Sequence, residues 1–227
     1  MKKTLITLIG LAALSLAGVQ GQLLISQYTE TETGTSPKGI ELWNAGSTTI
    51  DFATSNLTVL QGTNGGALTS IAAITTGTTG TLPAGSVLVI GTTDLGTYLT
   101  NTFGSGVVKF VSYTFTFNGD DAIQIQLGGV VQDTLGTPGT DPGTSWSGNS
   151  VNTANQNISL KTGITTGDTV GSADPSIRFE TTSTTPSSNL SGFGVAPVAV
   201  PEPSTWALIG IGSAFLLWRI RRKNSAV

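Results

Sequence analysis

The sequence predicts an all-β fold, a sandwich of two sheets, over residues 22–194. Three observations predict it. The stretch is rich in Thr, Gly, Ser and Asn and poor in helix formers. Short β-branched or aromatic runs recur between turn residues, the spacing of a sandwich. Residues 122–127 (Ala-Ile-Gln-Ile-Gln-Leu) alternate strictly, which puts Ile123, Ile125 and Leu127 on one core-facing side. One sheet cannot bury both sets of apolar residues, so two sheets must pack together.

The predicted strands are 23–28, 40–43, 48–52, 57–61, 68–74, 87–90, 107–117, 122–127 and 130–134. Gly128-Gly129 supplies a two-residue hairpin turn between the last two. Asn118-Gly119-Asp120-Asp121 reads as a turn after Phe115 and Phe117. Residues 181–191, rich in Ser and Thr, have the composition of a stalk.

The two ends differ from this middle. Met1-Lys2-Lys3 precedes an apolar run from Leu5 to Val19 that closes on Val19-Gln20-Gly21. A basic start, an apolar core and a small-residue exit are what a signal peptidase reads, so residues 1–21 are expected to be a signal helix removed on export. Residues 195–199 form a linker to a tail at 200–227. There Pro201 and Pro203 block regular helix and keep the chain extended. An apolar segment at 205–220 follows; as a transmembrane helix it rises roughly 24 Å, short against a hydrocarbon core of about 30 Å. Arg219, Arg221, Arg222 and Lys223 form a basic stop that stays cytoplasmic by the positive-inside rule, with residues 22–200 outside.

Composition excludes several chemistries. The chain has no Cys and no His, so disulfides, thiolate metal sites and the commonest general base are missing. Serine-hydrolase, zincin and phosphate-loop motifs are absent. Residues 22–199 hold 4 basic residues (Lys38, Lys109, Lys161, Arg178) and 12 acidic ones, a formal charge of −8. Such a surface repels a phosphate backbone, so no nucleic acid partner is expected.

Two resemblances refine this reading. Val200-Pro201-Glu202-Pro203-Ser204, an apolar helix and a terminal basic cluster resemble the PEP-CTERM sorting signal. The resemblance implies recognition of Pro201, Glu202 and Pro203 by an exosortase, a membrane protease-transpeptidase that cleaves nearby, with the basic cluster orienting the helix. It also implies a bacterium with an outer membrane that makes exopolysaccharide or biofilm matrix. The expected route is the inner membrane transiently, then the cell envelope, outer surface or extracellular matrix.

The middle resembles the lamin-tail-like domain, an immunoglobulin-like sandwich, in its bacterial extracellular form. The matching pieces include Leu24-Ile25-Ser26-Gln27-Tyr28, Gly39-Ile40-Glu41-Leu42-Trp43-Asn44, Phe117-Asn118-Gly119-Asp120-Asp121 and Asp174-Pro175-Ser176-Ile177. The resemblance implies a fold and an extracellular setting, and no reaction.

Few residues offer chemistry of their own. Asp120 and Asp121, with Asn118, are weak Ca²⁺ candidates; against them stands a turn whose side chains satisfy local backbone. Glu41, between apolar neighbours, either faces solvent by alternation, the favoured reading, or is buried against Lys38 or Arg178. Trp146, in a Gly/Ser/Asp-rich loop, is the candidate ligand contact, an exposed platform for sugar stacking; Trp43 reads as core. The expected function is a non-enzymatic exported surface or matrix protein without a cofactor, whose partners are signal peptidase, the exosortase and the membrane. The alternatives are an extracellular module binding exopolysaccharide or a divalent cation and, remotely, a carboxylate-based hydrolase.

Overall fold

The computed structural model describes residues 22–31 and 34–197. The expected signal helix, the sorting residues Pro201, Glu202 and Pro203, the span at 205–220 and the basic stop lie outside these. Among the described residues, no helix is long and apolar enough to cross a membrane.

In chain order the strands are β1 (Leu23–Thr29), β2 (Gly39–Asn44), β3 (Ile50–Asp51), β4 (Leu57–Gly62), β5 (Thr69–Ser70), β6 (Thr81–Leu82) and β7 (Val87–Gly91). There follow β8 (Lys109–Ser112), β9 (Ala122–Leu127), β10 (Val130–Leu135), β11 (Ser147–Gly148), β12 (Val151–Asn152), β13 (Asn157–Leu160) and β14 (Phe179–Ser183). Helix α1 (Ala72–Gly77) lies between β5 and β6, and α2 (Thr93–Phe103) between β7 and β8. The described residues are thus mostly β with few helices, as expected. One sheet has the order β14-β13-β1-β2-β7-β8 and a second the order β10-β9-β4-β5; β11-β12 and β3-β6 are two-stranded ribbons. Within the large sheet β7 and β8 are parallel, joined by a helical crossover as parallel neighbours require.

Both sheets contribute to one core. Ile40 and Leu42 of β2, Leu88 and Ile90 of β7, Val59 of β4 and Ile123 and Ile125 of β9 all join it. Leu127 packs against this core while remaining half-buried. The turn between β9 and β10 is Gly128-Gly129, both at positive φ (57° and 80°), as a tight primed turn demands.

The large sheet is covered on its other face as well. Val89, Leu95, Leu99 and Phe193 make a second, smaller core between the sheet, α2 and the C-terminal segment. Gly39 and Gly91 pair across β2 and β7. A Cβ on either would come within 2.4 or 2.5 Å of Leu95 Cδ1, so the missing side chains let α2 lie flat on the strands. Every residue of β1, β2 and β7 is consequently buried.

Several local expectations fail for identifiable reasons. The strand expected at 68–74 is the two-residue β5 followed by α1, because only Ile74 of α1 reaches the core. The strand expected at 107–117 pairs as a strand only over β8, with one more backbone bond from Tyr113 to Gly91; beyond it the chain leaves the sheet and drops Phe115 and Phe117 into the core. The strand at 48–52 shrinks to β3. Helix α2 was hidden by its β-branched threonines and Gly96, although Leu95, Tyr98, Leu99 and Phe103 recur at helical spacing. The stalk-like stretch is β14 and a turn that leads into a bound segment: its threonines and serines pair with β13, as where Thr182 Oγ1 donates to Ser159 Oγ.

Candidate functional site: the strap before the tail

The last segment of the domain, residues 189–194, is a strap laid on the large sheet. The strap satisfies its own irregular backbone only in part, as where Ser191 N–H donates to Asn189 Oδ1, and side chains of the sheet supply further partners. Gln27 of β1 donates through Nε2 to the Ser191 carbonyl at 2.8 Å and to Asn157 Oδ1 at 2.6 Å. Asn157 of β13 in turn donates to the carbonyls of Asn189 and Ser191 at 3.2 and 3.1 Å. Gly194 N–H donates to Glu41 Oε2 at 2.5 Å. Between these ties Phe193 is fully buried against Val89, Leu95 and Leu99. Gly192 and Gly194 sit at positive φ (96° and 88°), and a Cβ on Gly194 would strike Phe103.

Glu41 differs from the favoured expectation. Alternation does put it opposite Ile40 and Leu42, but that face is roofed by the strap and α2, not by water. It is 1% exposed, and neither Lys38 nor Arg178 reaches it: Lys38 pairs with Glu30 at 3.2 Å and Arg178 with Asp133. Burial therefore pushes its carboxyl up to about 8, against the opposing pull of the Ser26 hydroxyl and Gly194 amide. Ser26 Oγ lies 2.7 Å from Oε1 and 3.3 Å from the Glu41 carbonyl oxygen. A neutral carboxyl suits this arrangement: Oε1–H donates to Ser26, whose own proton goes to the carbonyl, and Oε2 accepts from Gly194.

Asp133 is a second tie, between the sheets. Its oxygens accept from Ile25 N–H of β1 at 2.9 Å, from Asp168 N–H at 2.7 Å and from Thr134 N–H at 3.0 Å. Arg178 grips both oxygens, at 2.5 and 3.1 Å. Burial raises the Asp133 carboxyl overall, against the opposing pull of Arg178 and of the amides of Asp168 and Ile25.

Asp121 accepts from Gln61 Nε2, Asn64 N–H and Asn118 N–H at 2.9, 2.9 and 3.2 Å. Its carboxylate is thus committed to local amides, as in the turn reading. Burial, followed by the nearby carboxylates of Asp121 and Asp141, raises Asp120, whose Oδ1 is buried without a hydrogen-bond partner. Among the described residues, no group of three or more acidic side chains could hold a metal ion.

Trp146 is not the exposed platform that its loop composition suggested. It is 2% exposed, and Nε1 donates to the Asp121 carbonyl at 3.2 Å. Turn residues around an aromatic ring mark a surface loop only when nothing packs beneath it; here Gly136 leaves room for the indole, since a Cβ there would meet Nε1 at 2.4 Å.

Nothing local marks Gln27 and Asn157 as ties: Gln27 stands between Ser26 and Tyr28 in β1, and Asn157 opens β13 in an Asn-Ile-Ser pattern that also suits an N-glycosylation acceptor.

Residues 199–223 match the PEP-CTERM protein-sorting motif. The matched range contains Pro201, Glu202, Pro203, Arg219, Arg221, Arg222 and Lys223. The motif implies an exported chain sorted to the cell envelope or surface, with an exosortase as processing partner. Searches of curated proteins and of solved structures give no match.

Proposed function

We propose that this chain is a non-enzymatic surface or biofilm-matrix protein of an outer-membrane-bearing bacterium: a lamin-tail-like, immunoglobulin-like sandwich delivered through its PEP-CTERM tail. The observation that carries the reading is adjacency. The sorting motif begins at 199, five residues after the last tie of the strap at Gly194. Cleavage near Pro201 would then cut beyond the strap and release a domain with every strut in place.

The chemistry of the acidic residues supports a structural role. Asp133, Glu41 and Asp121 use their oxygens on backbone amides and neighbouring side chains, which leaves them poor acids or nucleophiles. The hydrolase alternative needs two carboxylates facing each other across a cleft; a cleft of about 560 Å³ is lined by none, and the pocket lined by Asp168 and Asp174, of about 10 Å³, has no room for a substrate.

The test is the mass and location of the mature protein in hosts with and without the exosortase. A product cut near Pro201 only in the presence of the enzyme is expected. An uncut, membrane-bound product in both hosts would make the tail an ordinary anchor and overturn the sorting route.

A further inference from the structure

A cleft of about 560 Å³ lies at the end of the four-stranded sheet. Its size is that of a small-molecule site. Tyr113, Ile71 and Ala72 supply apolar surface, and Thr63, Ser70 and Thr116 supply hydroxyls. No charged residue lines it, although residues 22–199 carry a formal charge of −8. One wall is β5, the outermost strand of its sheet, both of whose residues are exposed. An edge strand leaves backbone donors and acceptors unpaired along one side.

The walls of the cleft are fixed in place. Tyr113 is half-buried and meets Phe115 edge-to-face, with centroids 4.9 Å apart. At the back, Gln61 Nε2 donates to Asp121 Oδ2 at 2.9 Å and to the hydroxyl oxygens of Thr63 and Thr116 at 3.2 and 3.3 Å. A threonine hydroxyl that accepts from an amide keeps its own proton to donate outward. The Asp121 network, which the sequence suggested for calcium, thereby orients hydroxyls at the cleft.

We infer that this cleft binds a short segment of a neutral polysaccharide, with Tyr113 as the apolar platform and Thr63, Ser70 and Thr116 as hydrogen-bonding partners for sugar hydroxyls. A sugar ring has an apolar face and a polar rim, and this mixed, uncharged lining matches both. The surrounding negative charge disfavours polyanionic glycans. A second groove, of about 420 Å³, has no aromatic ring and carries the charge of Asp51; a third, beside α2, is uncharged and holds Phe110 and three threonines but is smaller, at about 370 Å³. The inference goes beyond the sorting route and depends on it only for bringing the chain among glycans.

The test uses the purified full chain on an array of neutral oligosaccharides, with alginate and extended peptides as the other arms. Binding to neutral glycans is expected, with at least tenfold weakening in Ser70→Glu and in Tyr113→Ala and retention in Tyr113→Phe. Ser70 is exposed and outside the core, so Ser70→Glu keeps its thermal midpoint and separates lost binding from lost folding. Thr54→Glu, in the second groove, leaves binding unchanged. Absence of neutral-glycan binding, preference for alginate or peptide, or equal binding by Ser70→Glu overturns the inference. The binding assay needs no exosortase, so its failure leaves the sorting result standing.

Discussion

Asp133 and Glu41 are the least exposed acidic side chains among the described residues, at 0% and 1%, yet the fold treats them in opposite ways. Asp133 sits where the two sheets meet and receives three backbone amides and both arms of Arg178. Glu41 sits under the strap, bonded to one hydroxyl and accepting from one amide, with no cation. At the first, a cation and backbone amides oppose the upward push of burial; at the second no cation does, and burial pushes the carboxyl up to about 8. Burial alone does not fix what a carboxylate does, because the donors that come with it decide its charge.

Three perturbations would break or sharpen this contrast. The largest effect is expected at Arg178. Replacing it with Met strips Asp133 of its cation and leaves a buried charge, which costs about 3–5 kcal/mol. Chemical denaturation at pH 7 measures it. A loss below ~1 kcal/mol would mean that the amides suffice and that the pairing is incidental.

At Glu41 the contrast becomes a pH dependence. Between the ordinary 4.5 and about 8 the folded chain holds a proton that the unfolded chain has released. The stability that this proton represents is fully present at the acid end and is lost as pH rises through the window, in total roughly 4 kcal/mol. Glu41→Gln keeps both hydrogen bonds without a titrating group, so its stability curve is expected to be flatter by that amount between pH 5 and 9. Parallel curves for wild type and variant would show that Glu41 ionises normally.

The smallest effect is expected from Asn157→Ala, which removes the donor to the Asn189 and Ser191 carbonyls at a cost of about 1–2 kcal/mol. Hydrogen exchange should quicken at Phe193 and Gly194. Water reaching Glu41 beneath the loosened strap should also shrink the wild-type pH slope. A slope that survives would place the isolation of Glu41 with α2 and not with the strap.

Legibility from the sequence varied with the range of the cause. The hairpin of β9 and β10 was read correctly because Ile123, Ile125 and the Gly128-Gly129 turn act within a dozen residues. Helix α2 was lost to its threonines. Trp146 was misread because its loop is polar while the space it fills is made by Gly136 and the Asp121 carbonyl. In the candidate site, Glu41 stood out as a lone acid between Ile40 and Leu42, but Gln27 and Asn157 carried no pattern that separates a tie from a surface amide.

The sequence alone determined the sorting tail, whose prolines, apolar run and basic cluster act in one continuous stretch. It also determined the alternation that forms the strands of the core. Only the tertiary structure decided the charge of Glu41, the cation of Asp133, the burial of Trp146 and the uncharged cleft at Tyr113. Periodicity states which face a side chain takes; what covers that face comes from segments as distant as Gly194 is from Glu41, and no local pattern encodes their meeting.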